Sequence, residues 1–278
     1  MSDEAGRIRA FRRRVRAHYR THGRSTLPWR QTRDPYRIVV SEFMLQQTQT
    51  PRVVPKYRAF LRRFPSVRTL ALAARREVLL AWQGLGYNRR ALMLHETARC
   101  IVRDHGGRVP DDPRALRALP GVGPYTAVAV RIFAFNLPDL CIETNIRSVF
   151  LHEFFPAATR VSDRRLLPLI QKALDRRNPR AWYEALMDYG SAVKRTVPNP
   201  SRRAAGYQRA SRFAGSVRYA RGRVLACALQ NRRGALSVAT ASKAAGVASP
   251  ATVQTALEGL VRDRLLVRTR ERYRLKNG

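Results

Sequence analysis

Apolar residues recur at three- and four-residue spacing through most of the chain, over 8–19, 36–47, 51–64, 67–73, 75–82, 89–104, 114–119, 125–135, 145–155, 163–174 and 179–189. Such spacing lays an apolar stripe along one face of a helix, so each window predicts an α-helix. The breaks carry turn chemistry, as in Leu27-Pro-Trp29, Gly84-Leu-Gly86, His105-Gly-Gly107 and Val109-Pro-Asp-Asp-Pro113. Many helices with short loops make an all-α domain. From 193 the composition turns to proline and arginine with few periodic apolar residues, which reads as a linker or a wrap-around arm. Beyond it, 217–230, 238–245 and 250–262 suit three helices, the last begun by Ser249 as cap with Pro250 in its first turn. Leu265-Leu-Val-Arg-Thr-Arg270 and Tyr273-Arg-Leu275 then read as a β-hairpin. The implied boundaries are a helical core at 1–193, a basic linker or arm at 194–216 and a small domain at 217–278.

Three helices followed by a hairpin is the order of a winged-helix-like domain, with 250–262 as its recognition helix. Arg262, Arg264, Arg268, Arg270, Arg272 and Arg274 favour DNA contact there, while the same order also serves protein docking. Charge supports the first reading. The chain holds 54 basic against 19 acidic residues, a net +35 carried nearly all by arginine, whose planar fork matches phosphate oxygens. Nucleic acid is the leading partner and an anionic membrane a distant second, although biased coding or heat adaptation also enriches arginine. No window approaches the roughly 18 continuous apolar residues of a membrane span. The N-terminus runs straight into an arginine-rich amphipathic stretch, so the expectation is a cytosolic, nucleoid-associated protein. Cys100, Cys141 and Cys227 are far apart with apolar neighbours and read as free thiols, without the spacing that holds zinc or an iron–sulfur cluster.

Two segments carry candidate chemistry. In Leu119-Pro-Gly-Val-Gly-Pro-Tyr125, the glycines permit a positive φ, so a tight hairpin can turn backbone N–H groups toward a phosphate. About twenty residues on, Cys141-Ile-Glu-Thr-Asn145 sets a carboxylate beside an amide. A third candidate, Glu42, lies among Val39, Val40, Phe43, Met44 and Leu45. Apolar surroundings raise a carboxyl pKa and can keep it protonated near neutrality, ready to donate a proton. Against this stands a plain alternative, a glutamate paired with one of the many arginines.

Leu27-Pro-Trp-Arg30, Thr32-Arg-Asp-Pro-Tyr36, Ser41-Glu-Phe-Met-Leu-Gln-Gln-Thr48, Gly84-Leu-Gly-Tyr87 and Leu119-Pro-Gly-Val-Gly123 occur in series. Together they resemble the helix-hairpin-helix (HhH-GPD) DNA glycosylase superfamily, in its adenine glycosylase (MutY-like) branch. The resemblance implies a two-lobed all-α glycosylase core, which in this chain precedes the winged-helix-like domain read from the order of elements. It also implies double-stranded DNA holding a mismatch or lesion as the partner, and action as a monomer. The implied reaction is hydrolytic removal of a flipped base, most naturally adenine opposite 8-oxoguanine or guanine.

In that frame Glu42 matches the general acid. Glu143 stands where the family carries aspartate, one methylene longer, and would stabilise the positive charge that builds on the sugar. Asn145 would orient Glu143 and a water, or cap the following helix. Tyr125 occupies the place of the Schiff-base lysine of glycosylase-lyases, which implies base removal without strand cleavage. Gln46, Gln47 and Tyr87 would fill and probe the vacated stack. Leu119, Gly121, Val122 and Gly123 would hold a phosphate, with a bridging monovalent or divalent cation as the one ion the hairpin admits. Arg89, Arg90 and Lys194 would add phosphate contacts, joined by Arg195, Arg202 and Arg203. The family usually adds four cysteines for a [4Fe–4S] cluster; the matching stretch from Gly190 to Pro200 has none, with Lys194 near the first expected ligand, so no cluster is expected. A Nudix-like C-terminal domain is also missing from the pattern. A thymine, uracil or other modified-base glycosylase, and a non-catalytic DNA-binding protein, stay open as readings.

Overall fold

The chain opens with α1 (Ser2–His22), whose Ile8, Phe11 and Val15 form the buried stripe of an otherwise arginine-rich helix. The start of α2 (Pro35–Leu45) is set by Asp34, whose carboxylate accepts from the Tyr36 backbone N–H at 2.9 Å, and by Pro35 in the first turn. Ile38, Val39, Val40, Phe43 and Met44 are all buried, as are Ser41 and Glu42, so α2 from Ile38 onward is a core element that carries a polar pair. Helices α3 (Thr50–Arg63), α4 (Val67–Leu72), α5 (Arg75–Trp82), α6 (Arg89–Asp104), α7 (Pro113–Ala118), α8 (Pro124–Phe135), α9 (Thr144–Phe154), α10 (Asp163–Ala173) and α11 (Pro179–Thr196) follow. The computed structural model describes residues 2–208, 213–231, 235–246, 248–270 and 272–276. Among these no helix is long and apolar enough to cross a membrane.

The described residues pack as two compact units. The first takes 1–42, 111–118 and 122–209, and the second 43–110, 119–121 and 210–278. In the first unit α11 lies against α9 and α1. The Phe11 ring meets Phe150, Phe154 and Trp182 edge-on at 5.2, 5.2 and 6.0 Å. Asp188 of α11 is buried and clamped by arginines: Arg24 donates from Nε at 2.6 Å, and Arg30 from both Nη atoms at 2.6 and 2.9 Å. The Leu27-Pro-Trp-Arg30 motif is thus a structural tie onto α11.

Helix α11 continues past residue 189, where the apolar periodicity fades, to Thr196. The reason is packing: a Cβ on Gly190 would fall 2.4 Å from the Asn145 carbonyl oxygen, so only glycine lets α11 come this close to the start of α9. Lys194, read as the beginning of a linker, therefore belongs to a helix. The chain then turns back through a short 3₁₀ turn (Pro200–Arg203) and bonds along Val161, with Val161 N–H donating to Arg203 O at 2.8 Å and Ala205 N–H to Val161 O at 3.0 Å. Arg203 donates to Leu151 O at 3.1 Å and Pro156 O at 2.6 Å. This corrects the expectation of a phosphate contact at Arg203, whose guanidinium instead finishes the C-terminal end of α9, where unpaired carbonyls attract a cation.

The second unit joins α3–α6 to α12 (Val217–Gln230), α13 (Val238–Ala245) and α14 (Pro250–Arg262). Strands β1 (Leu236–Ser237), β2 (Leu266–Thr269) and β3 (Arg272–Leu275) form an antiparallel sheet in the order β1-β3-β2, with Leu266 opposite Leu275 and Leu236 opposite Tyr273. β1 spans two residues, too few for alternation to reveal it. Arg221 of α12 crosses Gly259 of α14 to pair with Asp263. Of the exposed positions of α14, Ala251, Thr255 and Glu258 carry no positive charge, and Arg262 in its last turn is the exposed cation the helix offers a phosphate.

Candidate active site

Within the first unit, α2 delivers Glu42, the start of α8 delivers Tyr125, and the start of α9 delivers Glu143 and Asn145. Glu42 is only 7% exposed, and among the described residues no arginine or lysine forms an ion pair with it. Burial, with the neighbouring Glu143 charge adding to it, pushes its pKa up to about 8. A carboxyl in this state is mostly protonated at neutral pH and available as an acid.

Glu143 is the cap of α9. Its Oε1 accepts from the backbone N–H groups of Asn145 and Ile146 at 2.7 and 2.9 Å, and its Oε2 from Asn145 Nδ2 at 3.1 Å. Asn145 therefore orients Glu143, and the capping role falls to the carboxylate. The segment leading in is held by Tyr183, which accepts from Cys141 N–H at 3.0 Å and donates to Asp139 O at 2.9 Å. Burial raises the Glu143 pKa, but the two backbone donors, Lys194 and the Asn145 amide all oppose the rise. The two carboxyls thus receive unequal support: Glu42 has burial and repulsion alone, and Glu143 has a helix N-terminus and a cation. The protonated member is Glu42. Burial, with Glu42, Cys141 and Glu143 nearby, also pushes the Tyr125 hydroxyl far up, so it stays a neutral donor.

Lys194, expected at a phosphate, lies in the last turn of α11. It is half-buried there, where burial lowers its pKa and the Glu143 carboxylate opposes the fall, whereas Arg195 beside it is exposed. Val122 and Gly123 belong to this unit too. Gly123, at φ −80°, starts α8 with nothing within 4 Å of the place a Cβ would occupy. Folding makes no demand for glycine at 123, and its bare backbone is open to close approach by a ligand.

The second unit holds Gln46, Gln47, Tyr87 and Arg89 on one cleft of about 1030 Å³. Gln47 at φ 53° and Tyr87 at φ 48° both sit in the left-handed region, which non-glycine residues adopt at an energetic cost. Arg90 holds them. Its Nη1 donates to Phe43 O at 2.7 Å, Met44 O at 3.1 Å and Gln46 O at 2.5 Å, and its Nη2 to Thr48 Oγ1 and Gly86 O, each at 3.1 Å. The guanidinium also lies 5.4 Å from the ring centres of both Trp82 and Tyr87. Burial lowers its pKa to about 10. Arg90, expected at a phosphate, is instead an internal brace joining the end of α2 to the Gly84–Tyr87 loop, because its fork faces a cluster of backbone carbonyls. Gly121 (φ 76°) packs here, where a Cβ would fall 2.7 Å from that of Met93, and Leu119 is buried.

The opposite wall of the cleft was not foreseen from the sequence. Arg218 of α12 donates to the Tyr87 hydroxyl at 2.7 Å, and Arg221, Arg223, Phe213 and Tyr219 line the same space. One arginine among so many carries no distinguishing signal. Arg89 is largely exposed, with Asp263 as a loose partner at 3.9 Å.

The donor set does not fit an iron–sulfur cluster. Four thiolates are needed and the chain has three cysteines, of which Cys100 and Cys227 lie in the second unit and Cys141 in the first.

Residues 40–210 match the family described as HhH-GPD superfamily base excision DNA repair protein. The chain is 38% identical over 223 residues to the adenine DNA glycosylase of Mycolicibacterium smegmatis, covering 73% of this chain and 75% of that one. It is 49% identical over 124 residues to the adenine DNA glycosylase of Mycobacterium tuberculosis, covering 44% of this chain and 41% of its relative. The solved structure of a thermostable thymine-DNA glycosylase aligns with a TM-score of 0.59 at 28% identity, over 67% of this chain and 87% of that one.

Proposed function

Since the chain belongs to the HhH-GPD superfamily of base excision DNA repair proteins, we propose that it is a monofunctional DNA glycosylase that removes adenine mispaired with 8-oxoguanine or guanine. The observation that carries this is the unequal pair of carboxyls: Glu42, its pKa driven up to about 8 by burial with no donor among the described residues to oppose it, and Glu143, also raised by burial, opposed in that rise by two backbone donors and the Asn145 amide. Breaking an N-glycosidic bond asks for that asymmetry. The neutral carboxyl of Glu42 gives a proton to a nitrogen of the flipped base, so the electron pair of the breaking bond leaves with the base. The positive charge left on the sugar faces the Glu143 carboxylate, which Asn145 and the start of α9 hold in one orientation. Water then adds to the anomeric carbon and gives up a proton to the Glu42 carboxylate, which returns to its neutral form. Tyr125 contributes a neutral hydroxyl and no amine, so the abasic strand is left intact.

The adenine assignment rests on the Leu-Gln-Gln-Thr run and on the adenine glycosylases among the relatives. Thymine removal is the second reading, favoured by Tyr125 and by the thymine-DNA glycosylase likeness. Incubation with duplexes carrying each mismatch and common lesion, followed by alkali, tests both. Adenine-dependent breaks only after alkali are the expected result. Breaks at thymine would transfer the assignment, breaks before alkali would reveal lyase chemistry, and tight binding with no breaks on any duplex would make the protein a non-catalytic binder.

A further inference from the structure

We propose that Lys194 is a positioning residue whose ammonium serves as the counter-charge of Glu143, holding that carboxylate anionic beside the neutral Glu42. The inference rests on the glycosylase reading and deepens it.

It begins with helix geometry. Gly190 brings α11 within van der Waals limits of Asn145, since a Cβ there would lie 2.4 Å from the Asn145 carbonyl oxygen and 2.9 Å from its Cβ. Residues four apart share a helix face, so Lys194 rises from that same contact, one turn further along. Clamping of Asp188 by Arg24 and Arg30 fixes the rotation of α11 on the preceding turn. Lys194 is half-buried as a result and makes no ion pair or hydrogen bond among the described residues, although Glu143 is its electrostatic partner.

The other groups around Glu143 cannot take this part. Glu42 from α2 repels it, and the Tyr125 hydroxyl from α8 and the Cys141 thiol are both driven toward their neutral forms. Arg147 on α9 is coupled to Glu143 but donates its fork to Asp163, at 2.7 Å through both Nε and Nη2. Among the described residues Lys194 is the cation left. Glutamate carries one methylene more than aspartate, and folding it back onto the N-terminus of α9 brings its carboxylate into the field of α11.

Single-turnover excision by the full chain on an adenine:8-oxoguanine duplex, measured across pH, tests this. The wild-type profile should fall on the acid side as Glu143 protonates and on the alkaline side as Glu42 ionises. Lys194→Met should move the acid limb upward by about one to three pH units, the range for losing an opposite charge at close approach. Lys194→Arg should leave it near the wild-type position, which also shows that the site tolerates a substitution. An acid limb unmoved in Lys194→Met overturns the proposal, and a binding-salt slope reduced by about one would then return Lys194 to the phosphate backbone. Equal shifts in Met and Arg variants would overturn it as well, since charge would not be the agent. Should wild-type protein excise nothing from any duplex, the glycosylase reading itself fails; should it excise normally with the limb unmoved, only the role of Lys194 fails.

Discussion

Glu42 and Gln46 are four residues apart, yet the first belongs to a buried carboxyl site and the second to a wide cleft lined by arginine and aromatic rings. Charge is handled oppositely in the two units. In the first, strong bases are kept off Glu42, and protonation is set by burial and by the start of α9. In the second, arginines line the cleft, but several of them are committed to the protein's own groups: Arg90 to carbonyls, Arg218 to Tyr87, Arg221 to Asp263. The lesson is that +35 of net charge is not +35 of DNA-binding surface. A bond-breaking site needs a low-dielectric corner where one proton is retained, and a groove for a polyanion needs exposed cations.

The comparison would break first at Glu42. Glu42→Gln keeps the shape and removes the acid, so single-turnover excision should fall about 10²–10⁴-fold with duplex affinity retained. Wild-type excision should also decline as pH rises through the region of 8, where Glu42 ionises. Full activity in the variant would remove the acid role. Next is Asp188, buried beneath two arginines and held below the ordinary carboxylate range by them against its burial. Asp188→Ala should lower unfolding free energy by about 3–5 kcal/mol in denaturant titrations, because two cations lose their partner. A depressed carboxylate pKa stabilises the fold at neutral pH, and that stability is lost as pH falls below about 4, through the folded pKa. The Asp188→Ala protein should therefore show less acid-dependent loss than wild type.

Smaller effects sharpen the cleft. Tyr87→Ala should weaken binding to a mismatched duplex by about 1–3 kcal/mol, the value of one aromatic stack, while leaving the pH limbs of excision in place. A shifted limb would mean that the two sites are not chemically separate. Arg89→Ala should reduce the slope of log affinity against log salt by about 0.9, as expected for one lost phosphate contact. An unchanged slope would place Arg89 with the internally committed arginines.

Much of this was legible in the chain. The helix windows were readable because apolar spacing of three and four is a local signal, and a cap such as Ser249-Pro250 is local too. Glu42 stood out because its neighbours in sequence are also its neighbours in the core. Arg90 was placed at a phosphate because a basic residue near a motif is, from sequence, indistinguishable from one facing DNA. The extent of α11 was hidden for a related reason. Its last two turns depend on Gly190 meeting Asn145, a contact between residues forty-five positions apart that no periodicity records.

The sequence by itself determined the helical class, the order of the motifs, the carboxyl–amide constellation of Glu42, Glu143 and Asn145, and the excess of positive charge. Each of these is written in residue type and local spacing. Only the tertiary structure decided which cations face inward, that Glu143 caps α9 with Asn145 as its donor, and that α12 walls the cleft beside Tyr87. Those outcomes depend on long-range packing, because a side chain's protonation and direction follow from what the fold brings against it.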